Sequence, residues 1–195
     1  MEKEFNYLVD QFADLQVLRY EVPGFEELSL KQKLLLYHLS EAALMGRDIL
    51  YDQNCRYNLR IRRTLEAIYI HYDGDRSCAD FQALEVYLKR VWFANGIHHH
   101  YAEDKFIPAF SADYFKQLLS SVSPEYLPLV DDETPETLFG KLYPIMFDKN
   151  VMPKRTVQSG DVDWVQSSAN NYYGGGISQA EVGRFFGEME KDFPS

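Results

Sequence analysis

The sequence predicts a mainly α fold of about seven helices with few short β-strands, and three observations carry that prediction. Apolar residues recur at helical spacing along most of the chain. Ser29 with Gln32, Thr134 with Pro135, and Ser178 with Glu181 are helix-start signals. Pro23-Gly24, Gly46, Gly74 and Pro124 fall between the periodic stretches and punctuate them. The chain has 195 residues, 46% apolar and 15% aromatic, which is enough for a sizeable core.

Phe5, Leu8, Val9, Phe12, Leu15 and Leu18 lie close to a helical period, so a first helix is expected over Phe5–Tyr20, broken by Pro23 and Gly24. Ser29 and Gln32 form a capping box that opens a helix to Met45, with Gly46 as a left-handed stop. Leu34, Leu35, His38, Leu39 and Ala42 give that helix an apolar face, on which His38 reads as a half-buried histidine. Asp48 to Tyr57 reads as a connection. Asn58 is placed to cap a third helix whose stripe is Ile61, Leu65, Ile68 and Tyr72.

Asp80 is placed to cap a fourth helix, with Phe81, Leu84, Leu88, Val91 and Trp92 facing the core. Ser111 starts a fifth, through Phe115, Leu118 and Leu119, stopped by Pro124. Residues 124–133 form the best internal boundary, separating a helical bundle over 1–123 from a second segment over 134–195 of the same lobe. Thr134-Pro135 starts a helix that Pro144 should end or kink near Tyr143. Residues 156–158 and 162–165 read as short strands. Ser178 and Glu181 open a terminal helix carrying Val182, Phe185, Phe186 and Met189.

The formal charge of −10, with no basic cluster beyond Arg60, Arg62 and Arg63, argues against nucleic acid and anionic membranes as partners. Two cysteines, Cys55 and Cys78, show no metal-type spacing and read as incidental thiols. No run approaches the roughly 18 apolar residues of a membrane span. The first four residues do not read as a secretion signal, so the cytoplasm is expected, or the periplasm if a signal was trimmed before Glu2.

Chemistry concentrates in Asn95-Gly96-Ile97-His98-His99-His100-Tyr101 and the following Lys105-Phe106-Ile107-Pro108, which hold three of the five histidines. Gly96 can adopt the positive φ that closes a helix, so the histidines should emerge on a connection between helices. In an extended segment His98 and His100 share a side, and Glu103 or Asp104 could add an oxygen ligand, which leaves a weak metal binder through His98–His100 as one alternative. Gly174-Gly175-Gly176 matches neither nucleotide-loop pattern, and no His-Glu-x-x-His or Gly-x-Ser-x-Gly occurs.

Several stretches together resemble the N-terminal region of the dipeptidyl peptidase III family of zinc peptidases, in its bacterial branch. They are Leu28 to Ser40, Gly46 to Leu50, Asp52 to Asn54, Glu85 to Trp92, Asn95 to Tyr101, Lys105 to Pro108, and Tyr172 to Gly174 with the helix opened by Ser178. The likeness is dense from about Phe12 to Leu119 and thin beyond Pro135. It implies a two-lobed enzyme that releases dipeptides from the N-termini of short peptides, with zinc held by His-Glu-x-x-Gly-His and a later Glu-Glu motif. Neither motif occurs in this chain. The resemblance therefore implies an N-terminal lobe segment that is catalytically inert alone, with no cofactor of its own and zinc in the parent enzyme. Its implied partners are short peptides and the missing catalytic part, with self-association expected through apolar surface left uncovered in residues 150–171 and on the terminal helix at Phe185, Phe186 and Met189. By the same likeness Tyr101 is an aromatic wall for the peptide's N-terminal residue, and Asn95, His98 and His100 beside it complete the expected substrate-binding set. The rival expectation is a non-enzymatic helical module that binds proteins or peptides.

Overall fold

The computed structural model describes residues 5–193. The readings that fall on the first four residues and on Pro194 and Ser195 lie outside them. Mainly α is the observed class, with eight α-helical segments and one two-stranded sheet among the described residues. The chain divides into two compact units between Asp48 and Ile49.

The first unit opens on a hairpin, not on the expected helix. β1 (Leu8–Phe12) pairs antiparallel with β2 (Leu15–Leu18), in the register Phe12 to Leu15 and Leu8 to Leu18. Ala13, at φ 48°, makes the reversal. The apolar positions that suggested a helix fit this hairpin as well, and the tight turn at Ala13-Asp14 decides between the two. α1 (Leu30–Met45) follows, and its capping box is as expected: the Ser29 hydroxyl accepts from Gln32 N–H and Gln32 Oε1 accepts from Ser29 N–H at 2.9 Å. No residue of α1 is buried. His38 is therefore exposed rather than half-buried, its ring edge-on to Tyr37. Gly46 is right-handed, at φ −74°, because α2 (Arg47–Asn54) begins at the next residue, where a connection was expected.

In the second unit α3 (Asn58–His71) packs on α4 (Ala79–Ala94), and α5 (Ala112–Ser121) packs on α6 (Pro135–Phe147). The expected stripes meet in one core: Ile61, Leu65 and Ile68 with Phe81, Leu84, Leu88 and Val91, then Phe115, Leu118 and Leu119, which α6 joins through Leu138, Leu142 and Met146. Trp92, expected on the α4 stripe, is exposed instead. Each such side chain contributes roughly 1.5–3 kcal/mol by leaving water, against about 1 kcal/mol for a good cap. Packing therefore holds the bundle, and the caps set where helices begin. The core runs through residues 124–133: Val122, Leu127 and Leu138 share it, and the compact units divide at Asp48–Ile49 instead.

Two caps sit elsewhere than expected. α3 is capped by Tyr57 and α4 by Cys78, one and two residues before the expected Asn58 and Asp80. Pro144 does not end α6, which continues to Phe147. The proline leaves one carbonyl without its helical donor, yet burial of Ile145 and Met146 holds the last turn in place. Neither short strand forms; α7 (Trp164–Ser167) occupies part of that stretch, its N–H groups at Val165 and Gln166 held by Asp163 Oδ1 at 3.0 and 3.1 Å. α8 (Gln179–Asp192) has the expected capping box at Ser178 and Glu181, and Phe185, Phe186 and Met189 are exposed, as expected. No described helix is long and apolar enough to cross a membrane.

Candidate functional site

The connection after α4 is held by two asparagines four residues apart, Asn54 at the end of α2 and Asn58 at the start of α3. Asn58 is fully buried; its Oδ1 accepts from Ile97 N–H at 3.1 Å and its Nδ2 donates to the Tyr51 carbonyl at 3.1 Å. Asn54 Nδ2 donates to the Asn95 carbonyl at 3.0 Å. Asn95 itself is the left-handed residue that closes α4, at φ 52°, where Gly96 was expected. Gly96, at φ 147°, is needed for a different reason: a Cβ there would stand 2.1 Å from Asn58 Nδ2.

From Ile97 the chain turns back on itself. His99 N–H donates to the Asp104 carbonyl at 2.8 Å and Phe106 N–H to the Ile97 carbonyl at 2.8 Å. The returning limb pairs onward, Lys105 N–H to the Pro153 carbonyl and Arg155 N–H to the Glu103 carbonyl, both 2.9 Å. Next come Ala169 N–H to Lys154 at 3.1 Å, Asn170 N–H to Arg155 at 3.0 Å, and Asn171 N–H to the Gln53 carbonyl at 2.8 Å. A backbone ladder thus ties the histidine turn to the end of α2 through three segments far apart in sequence. Within the irregular stretch 150–171 the ladder satisfies the N–H groups of Arg155, Ala169, Asn170 and Asn171.

Lys105 fixes the ladder to α6. Its ammonium donates to the carbonyls of Ile145 in the last turn of α6, Asp148 at its cap and Val151 just beyond. A cation there also meets the negative end of the helix dipole. Burial lowers the Lys105 pKa, with Asp148 acting in the opposite sense.

The four expected binding residues part company on this frame. Asn95 closes a helix. His98 is 2% exposed; its Nε2–H donates to the Met152 carbonyl at 2.9 Å and its Nδ1 is buried with no partner among the described residues. Burial lowers its pKa, only partly offset by the Met152 bond. His99 Nδ1 accepts from Tyr101 N–H at 3.1 Å and Ala102 N–H at 3.0 Å. His100 lies between the His99 ring at 4.5 Å and the Tyr101 ring at 4.4 Å, with Phe93 edge-on at 5.1 Å. Tyr101 ends this stack, 84% exposed. Of the four, Tyr101 lines a cleft.

That cleft has a volume of ≈ 490 Å³, walled by Tyr101, Glu103, Lys154, Thr156 and Gln158. Its charges are matched: Arg155 binds Glu103 at 2.6 Å and Lys154 meets Asp104 at 3.2 Å. Burial pushes the Glu103 carboxyl up, but Arg155 and Thr156 outweigh it and hold the pKa below its usual value. A second cleft of ≈ 360 Å³ lies where the ladder meets α2, walled by Arg56, Gln166, Asn170, Tyr173 and Gly174 to Gly176. The sequence marks its glycines but gives no sign that Arg56 would join them.

His98 and His99 turn ring nitrogens to the backbone. His98 spends Nε2 on a carbonyl and buries Nδ1, while His99 spends Nδ1 on two amides. Among the described residues no group of three or more His, Cys, Asp or Glu side chains could hold a metal ion. The N-terminus of α8 is no phosphate cradle either, because Asp163 accepts from Gln179 N–H at 2.9 Å and Glu181 from Ser178 N–H at 2.8 Å. No protein-family model matches the chain, and no curated protein matches it.

Proposed function

We propose that the chain is the N-terminal, peptide-binding lobe segment of a zinc-dependent dipeptidyl peptidase, inert alone, whose zinc and general base are supplied by a catalytic part outside this sequence. The observation that carries the reading is Tyr101: an 84% exposed ring at the rim of a cleft, on a turn whose backbone is hydrogen-bonded from both sides. Exposed aromatic surface on a rigid connection is suited to packing a substrate side chain, with the hydroxyl left hydrated. The stretches that resemble the dipeptidyl peptidase III family include the same turn. On this reading the partners are short peptides and the catalytic part of the parent enzyme, and self-association follows when that part is missing.

One observation favours the rival reading of a non-enzymatic interaction module. α1 exposes Leu34, Leu35, Leu39, Leu44 and Met45, an apolar helix surface of the kind that meets another protein. The deciding experiment titrates the chain with an arginyl-arginyl peptide and assays dipeptide release from its chromogenic counterpart, with and without zinc. Binding near Tyr101 without turnover is expected. Turnover by the chain alone, or no peptide binding at all, overturns the proposal.

A further inference from the structure

The second cleft has features that the fold itself does not require. Arg56 is the one charged residue in its wall. Its guanidinium lies 5.0 Å from the Tyr57 ring centre, and among the described residues no carboxylate pairs with it. Its cationic neighbours on the ladder are all committed: Lys154 to Asp104, Arg155 to Glu103, Lys105 to three carbonyls. In a chain of net charge −10, an unmatched guanidinium facing a cleft is a local exception.

Gly175 is the second such feature. Gly176 needs its glycine for φ +84°, but Gly175 has no positive φ, and a Cβ added there would meet nothing within 4 Å. The bare backbone leaves room for a ligand to lie along the main chain. Gln166 and Asn170 add side-chain amides, which suit the polar groups of an extended peptide.

We infer that this cleft binds the free carboxylate end of a short peptide, with Arg56 gripping the carboxylate and the Gly174–Gly176 backbone lying along the peptide. Charge and geometry select the ligand. A planar guanidinium matches the two oxygens of a carboxylate in a bidentate pair, and one positive charge balances a monoanion, whereas phosphate sites gather several donors and charges. A volume of ≈ 360 Å³ is at the small end of ligand sites and admits a peptide terminus rather than a long segment. The inference takes its ligand class from the peptide-binding reading, but its residues are separate from Tyr101.

The test is amide and arginine side-chain NMR on the full chain, titrated with trialanine, trialaninamide and inorganic phosphate. Trialanine should shift Arg56 and residues 174–176, and trialaninamide should bind there about tenfold more weakly or worse. Arg56→Gln, at an exposed position, should weaken trialanine by a similar factor, and Gly175→Val should block it while leaving the spectrum otherwise folded. Equal binding of acid and amide, indifference to Arg56→Gln, tighter binding of phosphate than of trialanine, or no shift with any probe each overturns the inference. Shifts confined to residues 101–103 would overturn it while sparing the Tyr101 cleft, and shifts confined to 174–176 would do the reverse.

Discussion

Asn58 and Ile97 are joined by a buried hydrogen bond, side-chain Oδ1 to backbone N–H at 3.1 Å, that holds the histidine turn against the start of α3. The same amide reaches the Tyr51 carbonyl, so one side chain satisfies two backbone groups on different segments. Neither group can turn to water when the amide is lost.

Asn58→Ala should therefore destabilise the chain by about 2–4 kcal/mol, the cost of leaving a buried donor and a buried acceptor unpaired. Gly96→Ala should act at the same contact from the other side, because its Cβ would stand 2.1 Å from Asn58 Nδ2 and its φ is left-handed. Urea unfolding of both variants checks this. Near-wild-type midpoints would mean the turn is held elsewhere.

Lys105→Met keeps the aliphatic stem but removes the donors that the carbonyls of Ile145, Asp148 and Val151 share. A loss on the order of 2–3 kcal/mol is expected, the range for bonds to a charged group. Hydrogen exchange should localise it, with faster exchange in the last turn of α6 and at Lys105 N–H itself. Uniform acceleration across α3 and α4 would contradict the assignment.

What the sequence makes legible here is what neighbouring residues decide. Ser29, Thr134 and Ser178 announce their helices because a capping hydroxyl needs only the next three residues. Ile61, Leu65 and Ile68 are legible because a buried face repeats. The stretch Phe5–Leu18 deceives because its spacing suits either a helix or a hairpin, and only the left-handed Ala13 separates them. α2 escapes notice since it buries a single side chain, Tyr51. The site is least legible of all: His98 looks like an available ligand until Met152, 54 positions later, claims it, and nothing near Arg56 announces Gly174 to Gly176.

His98 makes stability depend on pH in a definite direction. Its folded pKa lies below the ordinary 6.5, chiefly because burial disfavours the charged ring. The neutral ring is therefore the form the fold prefers. Its contribution is fully present above about pH 6.5 and is lost as pH falls through the lower folded value. Denaturation midpoints measured from pH 7.5 down to 5 should decline, and His98→Gln should flatten that part of the decline while lowering stability at neutral pH. An unchanged slope in the variant would place the titrating group elsewhere.

The exposed leucines of α1 should make the chain self-associate. Leu34, Leu35, Leu39 and Leu44 add apolar area that a monomer seldom leaves open. Sedimentation velocity should show mass rising with concentration, and Leu35→Ser with Leu39→Ser should reduce it without changing helicity. A monomer at all concentrations would favour a chain that needs no covering part.

Tyr101 carries the last prediction. Its ring is 84% exposed, so the fold gains little from it, and Tyr101→Ala should change the unfolding free energy by less than about 0.5 kcal/mol. The stack it ends, His99 on His100 on Tyr101, would lose only its outer ring, and the amide that His99 Nδ1 accepts is the backbone N–H of residue 101, which alanine retains. Peptide binding should respond differently, weakening by about 1–2 kcal/mol, the usual size of one hydrophobic pocket contact. Calorimetric titration with an arginyl-arginyl peptide separates the two quantities. Loss of binding with stability intact makes Tyr101 a wall of the peptide site; loss of stability with binding intact makes it part of the turn, and the cleft beside it then has no claim on the peptide.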